Sequence, residues 1–150
     1  MRLTTRKDFT PDEWQALHRG ATGSGMLVSL IDRDLTDTFG EVSAMSKYLV
    51  AQRMAGETEL MRDLAHEGGT GFGLTTSPDK LRAETFAALS TALAALAAKS
   101  PADVEPYRKF VLGLATAVAN AKGGGTSQTE ASMIAEITTA LGEQGLASGS

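Results

Sequence analysis

The chain of 150 residues contains no cysteine and only two histidines. Without cysteine there is no disulfide, no thiolate nucleophile and no Cys-based zinc or iron–sulfur site. Two histidines nearly exclude a multi-histidine metal centre. Aromatic residues make up 5% of the chain, so the core has to be built from Ala, Leu, Val, Ile and Met. An excess of basic residues is also missing. Fourteen Lys and Arg against eighteen Asp and Glu give a formal charge of −4, which argues against a nucleic-acid backbone as the main partner. No apolar run follows the charged start Met1–Asp8, so no secretory signal peptide is expected. The longest charge-free runs, Phe86–Ala98 and Phe110–Ala121, fall short of the roughly 20 apolar residues that span a bilayer. The expectation is a cytoplasmic protein with no integral membrane span and no cofactor.

What the chain has is a series of helix signals. Thr10 and Glu13 form a capping box, Pro11 suits the first helical position, and Phe9 and Trp14 occupy the places of a hydrophobic staple. This helix is expected to stop near Gly20. The run Gly25–Asp32 fits either a buried strand or a helix with Leu27, Leu30, Ile31 and Leu35 on one face. No other segment offers it a partner strand, so it is read as helix. Thr38 to Glu41 resembles a second capping box, opening a helix to about Ala55 with Phe39, Val42, Met45 and Leu49 inward. Gly56 breaks it, and a charged helix covers Glu57–Glu67.

Ser77-Pro78 starts a helix to about Lys99 whose stripe is Phe86, Leu89, Leu93 and Leu96, flanked by Ala88, Ala92 and Ala95. A helix from about Asp103 carries Val104, Tyr107, Val111, Leu114 and Val118. Ser127 to Glu130 is a third capping box, followed by Ile134, Ile137 and Leu141, with Gly142 as the stop. The two Ala-rich helices, 77–99 and 103–121, are expected to form a central antiparallel pair. The fold class is therefore all-α: an orthogonal or antiparallel bundle of about seven helices in one domain over residues 1–142, with a frayed tail over 143–150. Most glycines are assigned to helix ends or to the loop Gly68–Gly73.

Few residues offer chemistry. Asp32, Asp34, Asp37 and Glu41 suggest a calcium loop, but Asp37 stands where that loop needs Gly and Ser43 where it needs Glu. They read as acids complementing a helix N-terminus. Asp63 and His66 lie three apart on one helical face, a single element where bundle di-iron sites need two. Gly68–Gly73 lacks the Lys-Ser/Thr of a phosphate-binding loop, and Phe72 within it is either tucked back or part of a contact surface. His18 reads as a histidine at a helix C-terminus. No nucleophile elbow is present.

The stretch Val118-Ala-Asn-Ala-Lys-Gly-Gly-Gly-Thr-Ser-Gln-Thr-Glu130, followed by Ile134, Ile137 and Leu141, resembles the small all-helical tellurite-resistance protein B-like family and related bacterial helical proteins. There an Ala-rich helix ends in a Gly-containing turn and Ser-x-x-Glu opens the next helix. The likeness covers about the last third of the chain. The family's turn usually reads Ala-Asp-Gly where this chain has Ala121-Lys122-Gly123, so no acidic metal site carries over. The resemblance implies an all-α bacterial protein, cytoplasmic and stress-related.

The functional expectation is a non-catalytic module that binds a protein partner or forms a homo-oligomer through Ala-rich seams. The alternative is a small-ligand or divalent-metal protein using Phe72, Asp63 and His66, or the turn from Asp32 to Glu41. An enzyme built on a carboxylate pair is a third reading.

Overall fold

The computed structural model describes residues 6–31, 38–67, 77–120 and 128–142, with side chains described except at 30–31 and 38–42. Six α-helices follow one another: α1 Pro11–Ile31, α2 Thr38–Ala55, α3 Glu59–Ala65, α4 Pro78–Lys99, α5 Val104–Ala119 and α6 Gln128–Ala140. Short 3-10 turns cover Arg6–Asp8 and Pro101–Asp103. Among the described residues there is no strand. The all-α class is as the sequence predicts. The tail 143–150 and the loop 68–73 lie outside the described residues.

The start of α1 follows its signals. The Thr10 N–H donates to Glu13 Oε1 at 2.8 Å and the Glu13 N–H donates to Thr10 Oγ1 at 3.1 Å, while Phe9 and Trp14 are both buried. The expected stop at Gly20 is wrong. One helix runs 21 residues to Ile31 and merges the first two predicted helices into one. Glycine inside a helix costs about 1 kcal/mol relative to alanine, so something must hold these positions. A Cβ on Gly20 would collide with the Tyr107 hydroxyl and come within 2.9 Å of Leu89 Cδ2. A Cβ on Gly23 would collide with Thr85 Oγ1, and one on Gly25 would lie 3.2 Å from Met45 Cε. These glycines end nothing; they are places where neighbouring helices press on the α1 backbone. Hydroxyls inside the helix are bonded back along it, Thr22 Oγ1 to the His18 carbonyl at 2.9 Å and Ser24 Oγ to the Gly20 carbonyl at 2.6 Å. His18 is thus a buried mid-helix residue rather than a helix C-terminal one.

The same contacts give the arrangement. Gly20 meets Leu89 and Gly23 meets Thr85, so α4 runs antiparallel to α1. Gly20 meets Tyr107 and Gly25 meets Leu114, so α5 runs parallel to it. Helix α1 is therefore the centre, with α4 on one side and α5 on the other. The expected central pair of α4 with α5 is not formed: those two barely touch. On the far side of α5, the Tyr48 hydroxyl of α2 donates to the Phe110 carbonyl at 3.0 Å and lies over Gly113. The layer order is α4, α1, α5, α2.

Helix α3 buries its apolar face and keeps its charges outward. Leu60, Met61, Leu64 and Ala65 are buried, and Thr58 Oγ1 caps it by accepting from the Met61 N–H at 3.2 Å. Helix α6 covers α1 and α5 with Met133, Ile137 and the following Leu141. It ends where expected, at Gly142 with φ +84°, and Arg108 Nε donates to the Leu141 carbonyl at 2.6 Å.

The buried face of α4 is rotated from the predicted stripe. Leu81, Thr85, Ala88, Leu89, Ala92, Ala95 and Leu96 are buried, whereas Phe86 and Leu93 are only half-buried. On length and composition alone α4 is apolar enough to cross a membrane; in this fold its leucine side packs on α1.

The close approach at Gly23 makes a prediction whose sign is diagnostic. At a free helical site Gly→Ala stabilises by about 1 kcal/mol, but here Gly23→Ala is expected to destabilise by about 1–3 kcal/mol through overpacking against Thr85. Combining it with Thr85→Ala should recover most of that loss. Urea unfolding of the single and double variants measures the coupling, and a stabilising Gly23→Ala contradicts the packing described.

Candidate functional site

The sequence-predicted ligand residues do not assemble. Asp63 is half-buried on α3 and His66 is exposed at its C-terminal cap, where the His66 N–H donates to the Asp63 carbonyl at 3.1 Å. The nearby Glu67 is taken up by Arg6 at 3.3 Å. Among the described residues there is no group of three or more His, Asp or Glu placed to hold a metal ion. Asp32, Asp34 and Asp37 lie outside the described residues, as does Phe72; Glu41 belongs to α2, its side chain not described.

Both tyrosines tie helices together, Tyr107 fully buried and Tyr48 half-buried. Tyr107 donates to the Leu17 carbonyl at 2.8 Å, tying α5 to α1. Tyr48 meets the Phe110 ring edge-on, with centroids 5.8 Å apart. Burial pushes the Tyr48 phenol up to about 12 and raises Tyr107 further still. Exposed carboxylates behave oppositely: the Lys99 ammonium bonded to Glu13 and the Arg82 guanidinium bonded to Glu136 hold both acids below the usual carboxylate range.

The features left over by the fold are surfaces at the two edges of the layer. On α2, Met45 and Leu49 pack inward as their spacing predicts, and Tyr48 packs with them. Val50 and Met54, one helical turn apart, point out: Val50 is 55% exposed and Met54 88% exposed, and Ala51 and Ala55 beside them are exposed too. Val50 and Met54 form a second apolar stripe beside the inward one, a signal present in the sequence but outside the predicted core face. Between Ser43 and Ala55 the only charges are Lys47 and Arg53.

At the opposite edge, α1 and α4 enclose a cleft of about 330 Å³. Its lining includes three small residues, the buried Ala16 and Ala88 and the exposed Ala87, and the charged Asp12, Arg19 and Glu84. From Ala83 to Ala98 the outward side of α4 is Ala83, Ala87, Ser90, Thr91, Ala94, Ala97 and Ala98, without a charge. A second groove of about 420 Å³ lies between α4 and α6, over Phe86. The Arg82–Glu136 ion pair bridges it, with Arg82 stacked 5.1 Å above the Phe86 ring. A large apolar pair thus stands on one edge helix, and a mixed-charge cleft lined by small residues on the other.

The two tyrosines are the only ones in the chain, so an alkaline titration reports on both. An unfolded tyrosine ionises near 10; the raised folded values contribute stability that is complete below that pH and lost as pH climbs through about 12. Absorbance at 295 nm should show little tyrosinate at about pH 10; the half-buried Tyr48 should begin to ionise as pH approaches about 12, and the fully buried Tyr107 only together with loss of helical circular dichroism. Half the tyrosinate signal appearing near pH 10 with the helices intact would refute the burial of one ring.

Comparison with protein-family models, curated proteins and solved structures finds no match for this chain.

Proposed function

We propose that the protein is a non-catalytic helical interaction module that works through its outer helix faces. The observation that carries this reading is the Val50–Met54 pair. A methionine 88% exposed next to a half-exposed valine is left uncovered by the described residues, and contiguous exposed apolar surface marks a contact site. Methionine suits such a surface, since its flexible, polarizable side chain adapts to a partner. The uncharged outer side of α4 adds a second contact face. The resemblance of the last third of the chain to the tellurite-resistance protein B-like family points, on this proposal, to a stress-related setting in the cytoplasm.

A photo-cross-linking residue placed at Met54 in the cell tests the reading. Discrete protein adducts are expected at position 54 and none at the exposed polar position Lys7. Adduct patterns that do not differ between the two positions would rule it out.

A further inference from the structure

Resting on that reading, we infer that the partner of the α2 face is a second copy of this chain. The two copies associate head to tail, with Val50 and Met54 of one seated in the α1–α4 cleft of the next. Size is the first argument. One edge presents two large apolar side chains that the described residues leave exposed, and the other presents a cleft lined by three alanines. Spacing is the second. Lys47, Val50 and Met54 repeat at intervals of 3 and 4, as do Glu84, Ala87 and Thr91 along the cleft, and each triplet covers about 10 Å of helix. Laid parallel, α2 brings Val50 onto Ala87, Met54 beside Thr91 and Lys47 onto Glu84.

Charge is the third argument, and it sets the register. Neither Lys47 nor Glu84 makes an ion pair among the described residues. Between Ser43 and Ala55 the charges of α2 are both cationic, Lys47 and Arg53, while the cleft sets two carboxylates, Asp12 and Glu84, against Arg19. Because α1 and α5 separate the two edges, one copy cannot bring them together itself. A contact between unlike faces repeats from copy to copy, giving a ring or an open chain of subunits.

Sedimentation velocity over a concentration series of the full chain provides the test. The wild type should gain mass with concentration. Met54→Glu, which would bury a carboxylate beside Thr91 in a cleft that already holds Asp12, should weaken association roughly 30-fold, and Ala87→Arg should do the same from the other side. Each variant keeps one intact face, so mixing the two should give a 1:1 dimer and nothing larger. Lys47→Glu and Glu84→Lys should each weaken association about fivefold, and the double exchange in one chain should restore it. All the sites are exposed or half-buried surface positions, and circular dichroism of each variant checks that the helices are kept. A wild type that stays monomeric at every concentration overturns the inference, as does association that survives Met54→Glu or a variant mixture that forms no dimer. A monomeric protein that still cross-links from position 54 to a different protein overturns the second copy while leaving the interaction module standing.

Discussion

The fold depends on how closely other helices can approach the α1 backbone. Tyr107 and Leu89 press on Gly20, Thr85 on Gly23 and Met45 on Gly25. A side chain at any of these would push α4, α5 or α2 outward. The cost of three glycines in a helix, about 1 kcal/mol each against alanine, is offset because the approach lets Leu17, Leu89, Tyr107 and Leu114 become fully buried together. The hydroxyls of Thr22 and Ser24 fit this crowded helix because their bonds return to its own carbonyls. The same device recurs at Gly113, where the Tyr48 ring lies against the bare α5 backbone. Once α1 is central, α4 and α5 are held apart, and the outer edges of α4 and α2 follow.

This constraint also explains which parts of the architecture were legible in the sequence. Helix starts were readable because a cap is a local event: Thr10 with Glu13, Ser77 with the Lys80 N–H, and the stop at Gly142 all stand where their residues place them. The run through Gly20 was not readable. A glycine that ends a helix and one that admits a neighbouring ring look alike in a sequence, and the difference lies in Tyr107 and Leu89, some 70 to 90 positions further on. The central pair was misassigned for a related reason. Alanine content shows that two helices can pack closely, but not against what.

The candidate surfaces were only partly legible. Charge patterns pointed to Asp63 and His66, which stay on the outer part of α3 while its apolar residues sink into the core. Val50 and Met54 went unnoticed because an apolar residue in an amphipathic helix is assigned to the core by default. Helix α2 is apolar on two sides: Met45 and Leu49 pack inward, and Val50 and Met54 do not.

Helix α4 carries the same lesson further. Its two sides differ little in polarity and differ in size, with Leu81, Leu89 and Leu96 inward and Ala83, Ala87, Ala94 and Ala97 outward. Hydrophobic periodicity cannot assign such a helix a face, which is why the predicted stripe through Phe86 and Leu93 came out rotated. The outer alanines cost little in water, since each exposes one methyl group, and they have no side-chain rotamers to lose on contact. A helix built this way is tolerated as free surface and is also cheap to cover. The large exposed residues stand elsewhere, on α2, and the proposed head-to-tail contact would set its methionine, a flexible side chain that adapts to an irregular surface, against these alanines. With the two faces on opposite edges, one copy cannot cover its own Val50 and Met54, so under that proposal they stay available to a neighbour.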